Sequence, residues 1–115
     1  MRIIKKPWGH EEIWSETDKY VGKILYIQAG HRLSLQYHER KTETIRVMQG
    51  ALTLTTQDRH GIVTDRKLQV GESYHVAPGT IHRFCATDHD VVLVEVSTPD
   101  LDDVVRIEDD YTRTT

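Results

Sequence analysis

The sequence predicts an all-β sandwich or barrel. Three observations carry that expectation: short runs that alternate apolar and polar residues, glycine, proline or aspartate at the breaks between them, and scarce helical periodicity across the 115 residues. Lys23 to Ile27 is one such run, and Arg32-Leu33-Ser34-Leu35-Gln36-Tyr37-His38 is the cleanest. Thr44 to Met48 and Ala51 to Thr55 are expected as strands flanking a Gln49-Gly50 turn. Further strands are expected at Ser73 to Val76, Ile81 to Cys85 and Val91 to Val96. Turns are expected around Asp58 to Gly61, at Gly71, at Pro78-Gly79 and from Asp88 to Asp90. Only Asp100 to Val105 is expected to form a short C-terminal helical turn, and Glu108 to Thr115 reads as an exposed, charged end. The length is about the modal size of one domain, and no repeat or linker divides it, so residues 1–115 are expected to fold as a single unit.

Composition narrows the classes of partner. The formal net charge is −3, with signs interspersed, so there is no basic stripe of the kind a nucleic acid requires. No apolar run approaches the roughly 20 residues of a spanning helix, and Met1-Arg2-Ile3-Ile4-Lys5-Lys6 lacks the apolar stretch of a signal peptide. No membrane role and a cytoplasmic location are therefore expected. The single cysteine, Cys85, has no partner for an internal disulfide, and its strand has no evident base, so an inert buried thiol is the expectation.

The chemistry concentrates in Gln36, His38 and Glu43, answered far downstream by His82 after the Ala77-Pro78-Gly79-Thr80 turn. Side chains alternate across a strand, so Gln36 and His38 point the same way, and Glu43 can return opposite them from the next strand. With His82 this makes a mixed nitrogen and oxygen set suited to a divalent transition metal. Zinc suits it best, and iron, cobalt, nickel and manganese are also admitted. Either histidine alone would read as an ordinary barrel residue; two of them with Glu43 at these spacings favour ligation. Gln36 is the weaker ligand, since its amide can equally serve a bound water. Arg32 and Ser34 share the inward phase, which leaves Leu33, Leu35 and Tyr37 facing outward. Three apolar groups should not stay wet, so either the Ile3 to Trp14 segment or a second subunit covers them, and a homodimer is expected. His10-Glu11 opens like a metalloprotease motif, but position 14 is Trp rather than His.

These residues carry a family resemblance. Gly30-x5-Gln36-x-His38-x4-Glu43-x6-Gly50 resembles the first motif of the cupin superfamily with Gln in place of its first His, and Gly71 through Gly79-x2-His82 resembles the second. Within the cupins the chain resembles the mannose-6-phosphate isomerase domain at the C-terminus of type II bifunctional phosphomannose isomerase/GDP-mannose pyrophosphorylases. That likeness rests on Lys6-Pro7-Trp8-Gly9, on Gly30-His31-Arg32-Leu33-Ser34-Leu35-Gln36-Tyr37-His38, and on the stretch from Asp102 to Tyr111. It departs from the family around the acidic ligand, where Ala-Glu-His-Trp is replaced by the surroundings Lys41-Thr42-Glu43-Thr44, at Ala77-Pro78-Gly79 for Pro-Ala-Gly, and at Tyr111-Thr112-Arg113 for Tyr-Gly-Arg. Nothing resembles the nucleotidyltransferase domain, so a stand-alone domain is expected.

The resemblance implies a double-stranded β-helix, or jelly-roll, barrel and a metal-dependent aldose-ketose isomerase interconverting mannose 6-phosphate and fructose 6-phosphate. It implies Gln36, His38, Glu43 and His82 as metal ligands. Arg32 matches an arginine of the family's Arg-Leu-Ser-Leu-Gln segment, which makes it the catalytic candidate and, with Ser34, a contact to the sugar phosphate through its forked donors. His10, Glu12 and His75 are the candidates for the proton-transfer base. Two other readings stand beside the isomerase. One is another metal-dependent cupin enzyme, an oxygenase or lyase; the other is a non-catalytic cupin that binds a sugar or nucleotide sugar.

Overall fold

A computed structural model describes residues 2–111. Eleven strands run through the described residues: β1 (Arg2–Lys6), β2 (Gly9–Glu16), β3 (Val21–Ile27), β4 (Leu35–Tyr37), β5 (Glu43–Gln49), β6 (Leu52–Gln57), β7 (Val63–Leu68), β8 (Ser73–Val76), β9 (Ile81–Cys85), β10 (Val91–Ser97) and β11 (Val105–Glu108). They form a six-stranded sheet in the order β1-β2-β3-β10-β5-β8 and a five-stranded sheet in the order β11-β4-β9-β6-β7, with every pairing antiparallel. Alternation along β3, β5 and β10 sends Leu25, Ile27, Ile45, Val47, Val91 and Leu93 into a shared core. Leu52, Leu54 and Phe84 meet them from the other sheet. At the β5–β6 turn Gly50 has a φ of 79°, and a Cβ there would fall 2.4 Å from the Asp90 carbonyl oxygen. Only glycine makes this turn from one sheet to the other so close to the neighbouring loop.

The expected strands form, and four more join them. β1 and β2 come from the N-terminal segment, β7 follows the Asp58 to Gly61 turn, and β11 lies in the tail. The short helical turn expected in the tail is corrected: Asp103 N–H closes a single turn on Asp100, and from Val105 the chain is extended and pairs with β4. No helix is present among the described residues, and the density of aspartate between 100 and 103 explains why, since such side chains favour turns over helix interiors. A second correction concerns the run from Arg32 to His38. It leaves the ladder between Arg32, which makes an isolated bridge to Cys85, and Leu35. The carbonyl of Leu33 accepts from Arg83 Nε at 2.9 Å. Strict alternation therefore lapses, and both Leu33 and Ser34 are buried, Leu33 in the core. Leu35 is buried as well, so the outward apolar face from which a homodimer was expected does not exist on this strand.

Candidate metal centre

Three ligand atoms converge from three separate stretches. His38 stands just past the end of β4, His82 lies in β9 beside it, and Glu43 opens β5 in the opposite sheet. The ligand atoms of His38, Glu43 and His82 lie within 4.8 Å of one another, and all three residues are buried. Glu43 Oε1 is 3.1 Å from His38 Nε2 and 3.3 Å from His82 Nε2. Each imidazole is oriented by its other nitrogen: His38 Nδ1 donates to the Asp103 carbonyl at 2.6 Å, and His82 Nδ1 to the Thr80 carbonyl at 2.8 Å. A carbonyl only accepts, so Nδ1 carries the proton, and in the neutral imidazole the Nε2 lone pair turns toward Glu43. Two such lone pairs and a carboxylate oxygen repel unless a cation lies among them. His82 Nε2 is buried and makes no well-formed hydrogen bond, which leaves its lone pair for an ion. The donor set and its backbone-fixed tautomers thus fit a divalent metal.

Gln36 pairs with His82 across β4 and β9, lines the same cavity, and accepts from Ser34 Oγ at 3.3 Å. The cavity opens to solvent at its mouth and holds about 80 Å3 of water-accessible room. Arg32 lies elsewhere. Its guanidinium makes two hydrogen bonds to Asp110, at 2.6 and 3.0 Å, on the outside of the barrel. It is absent from the cavity wall, whereas Ser34 is on it. Among the base candidates, His10 stacks on Tyr26 at 4.3 Å, Glu12 accepts from the Tyr26 hydroxyl, and His75 meets Thr44 Oγ1; none of the three lines the cavity.

The cavity also holds groups that reading the sequence missed. Lys41 is buried, with Nζ 3.4 Å from Glu43 Oε2 and 3.4 Å from Glu95 Oε2. Lys23, on β3 opposite Glu95, is buried 3.3 Å from Glu11. Burial works against the charge on Glu43, but His38 and His82, when their Nε2 atoms also carry protons, and Lys41 hold its carboxyl well below the usual range. Burial first, and then the neighbouring Glu43 charge, push Glu95 up to about 8 against the pull of Lys41 and Lys23. Burial would lower Lys41, yet Glu95 and Glu43 together raise it, so it stays an ammonium. A signal for these residues was present. Lys23, Glu95 and Glu11 occupy the inward phase of strands whose other inward residues are apolar, and a charge there demands a partner or a task.

The tail completes the wall. Asp103 accepts from the backbone N–H groups of Glu39, Arg40 and Lys41 at 3.0, 2.7 and 2.8 Å, which drops its pKa to about 2. Leu101, Asp103, Val104 and Arg106 line the cavity beside Lys6, at the end of β1, and Trp8, in the turn before β2.

Residues 1–109 match the family described as mannose-6-phosphate isomerase C-terminal. The chain belongs to that family. Among curated relatives of this mannose-6-phosphate isomerase C-terminal domain is the alginate biosynthesis protein AlgA of Pseudomonas aeruginosa, 26% identical over 115 residues, covering 96% of this chain and 23% of that protein. Another is mannose-1-phosphate guanylyltransferase 2 of Escherichia coli O157:H7, 27% identical, with 96% and 23% covered. The chain therefore spans about a quarter of the length of these relatives. Solved structures share the fold. The capsular polysaccharide assembling protein CapF of Staphylococcus aureus aligns with a TM-score of 0.81 at 15% identity, over 93% of this chain and 34% of that one. KdgF from Halomonas sp. aligns at 0.74 and 19% identity, over 89% and 91%. The all-β barrel has the cupin fold, as the resemblance implied. No helix among the described residues is long and apolar enough to cross a membrane.

Proposed function

We propose that this cupin domain is a metal-dependent sugar-phosphate isomerase, with mannose 6-phosphate and fructose 6-phosphate as its substrate pair. The observation that carries the reading is the convergence of His38 Nε2, His82 Nε2 and Glu43 Oε1 inside a cavity also lined by Lys6, Lys23 and Arg106, in a chain of this family. On this reading His38, His82 and Glu43 hold the ion, with Gln36 as the fourth donor, and zinc is the first candidate among zinc, iron, cobalt, nickel and manganese. A divalent ion supplies Lewis-acid stabilisation of the negative charge that develops on the sugar oxygens when a proton moves between C1 and C2.

The remaining chemistry falls to the chain. Lys41 neutralises the second oxygen of Glu43, so the carboxylate can serve the ion without leaving an unpaired buried charge. Ser34, beside Gln36, offers a hydroxyl to a sugar oxygen. Lys6 and Arg106 line the cavity and are the cations we assign to a dianionic phosphate, while Lys23 there is paired with Glu11. Glu95 lines the cavity and shares Lys41 with Glu43, so we assign it the proton that shuttles between carbons.

The test is a coupled assay for fructose 6-phosphate formed from mannose 6-phosphate by protein of measured metal content. Turnover that disappears in Glu95→Gln while stoichiometric metal is retained supports the reading. Metal-loaded wild-type protein that turns over no hexose phosphate, yet binds one saturably, would replace the isomerase with a sugar-binding module.

A further inference from the structure

Five neighbouring strands of the six-stranded sheet each send an ionisable side chain to the wall of the cavity. In the order of the sheet they are Lys6 at the end of β1, Glu11 on β2, Lys23 on β3, Glu95 on β10 and Glu43 on β5. The proposed reaction gives work to three of them. Glu43 holds the ion, Glu95 handles the proton and Lys6 meets the phosphate, whereas Glu11 and Lys23 take no part. Yet both are buried, 8% and 7% exposed, with Lys23 Nζ 3.3 Å from Glu11 Oε1. A buried ion pair adds little net stability over hydrocarbon of the same size, so stability gives no reason for charges at these positions. Their cross-strand partners, Leu25 and Ile13, are buried hydrocarbon of the kind that would have served.

The order of the strands says what this pair faces. Lys23 stands directly opposite Glu95, and Glu11 lies one strand further from the proposed ion, toward Lys6. On the proposed reading, C1 and C2 of the sugar lie at the ion and Glu95, and the phosphate on C6 lies at Lys6 and Arg106. Between these two fixed points the sugar carries the hydroxyls on C3 and C4, and the wall carries Lys23 and Glu11. The chemistry of the pair suits them. Its own contact takes one carboxylate oxygen and one ammonium proton, which leaves an acceptor and further donors side by side. A hydroxyl both donates and accepts, so it can give its proton to Glu11 while accepting one from Lys23. Isomerisation alters only C1 and C2, so a contact to C3 and C4 grips the aldose and the ketose alike. We propose that Glu11 and Lys23 are specificity-determining residues that bind the C3 and C4 hydroxyls of the sugar phosphate. The inference rests on the sugar-phosphate reading of the cavity and extends it to the part of the sugar that does not react. Buried groups placed to bond a hydroxyl reject an analogue that lacks it. Such binding is the same in the ground and transition states, so its loss raises KM and spares kcat.

Titration calorimetry of the metal-loaded protein with mannose 6-phosphate and with its 3-deoxy and 4-deoxy analogues tests the proposal. Wild type is expected to bind each deoxy analogue about tenfold or more weaker than the parent. The double variant Glu11→Gln/Lys23→Met removes both charges together, so no lone charge stays buried, and its fold and metal content are checked by circular dichroism and metal analysis. It is expected to bind the parent about tenfold or more weaker than wild type, to lose the discrimination against the analogues, and to raise KM while kcat holds. Equal affinity of wild type for all three ligands would overturn the proposal with no variant needed. A folded, metal-bearing double variant that binds the parent as wild type does would overturn it too. Discrimination by protein that binds mannose 6-phosphate without isomerising it would support the hydroxyl contacts and overturn only the isomerase. Wild type that binds no hexose phosphate would overturn both.

Discussion

The two ends of the barrel are built on one backbone and filled in opposite ways. Along β10 the inward positions run Val91, Leu93, then Glu95 and Ser97; along β5 they run Val47, Ile45, then Glu43; along β9 Phe84 is followed toward the same end by His82. At one end the inward residues are hydrocarbon in mutual contact, and each contributes through the water it excludes. At the other end they are buried polar and ionisable groups, and a buried charge costs several kcal/mol unless paired. They are paired: Glu11 with Lys23, and Glu43 and Glu95 through Lys41. The difference teaches that the packed end supplies the stability against which the charged end is held in place. A functional centre can then keep lone pairs aimed at one another because the other half of the same strands holds the sheets together.

Removing Phe84 should break this division of labour most visibly. The side chain is 1% exposed among core residues of both sheets, so Phe84→Ala is expected to destabilise the fold by about 3–5 kcal/mol. Thermal or denaturant unfolding would measure it, and a loss below about 1 kcal/mol would deny the packed end its role. Protein that remains folded at low temperature should still bind one metal. Glu43→Gln is the reverse experiment. It keeps the shape but removes the charged donor, and zinc or cobalt affinity is expected to fall by more than the roughly 10–100-fold that losing an outer hydrogen-bond partner costs. Its melting temperature should change less than that of Phe84→Ala. Equal metal affinity in Glu43→Gln and wild type would remove Glu43 from the ligand set.

The two ends were not equally legible. Alternation and turn residues marked most strands of the packed end, because period-2 apolar patterns are what a half-buried sheet requires. His38, Glu43 and His82 were legible from spacing, and the geometry brings them together. Lys41 was not, because in Glu39-Arg40-Lys41 it resembles a solvated turn, and only the fold of β5 against β10 turns its ammonium between two buried carboxylates. β11 was hidden by its charge. Glu108 reads as the start of an exposed, charged end, yet it pairs with β4 and Arg106 beside it lines the cavity.

Asp103 joins the tail to the centre, and its loss should be intermediate in size. Its carboxylate holds the backbone of Glu39 to Lys41, and its carbonyl fixes His38 Nδ1, so one residue steadies the loop that carries two proposed ligands. Asp103→Ala keeps the carbonyl but frees the loop, and metal affinity is expected to drop about tenfold, with faster protease cleavage after residue 98. Asp103→Asn, which retains an accepting oxygen, should recover part of the loss. Unchanged affinity in both variants would mean that the loop is held by its other contacts.

Arg32 should matter least, and for a reason that sharpens the contrast. Strict alternation from Arg32 to His38 would aim its guanidinium into the charged end. The lapse of the ladder at Leu33 and Ser34 aims it at Asp110 instead, with 43% of its side chain exposed. An ion pair so open to solvent and salt is worth about 0.2–1 kcal/mol even with two hydrogen bonds. Arg32→Ala is therefore expected to lower stability by no more than that and to leave metal affinity unchanged. The variant should also lose no more affinity for a phosphorylated sugar than for its unphosphorylated analogue. A selective loss of the phosphorylated ligand would require the tail to release Asp110 and swing Arg32 over the cavity mouth, which would make the outer clamp part of the binding site.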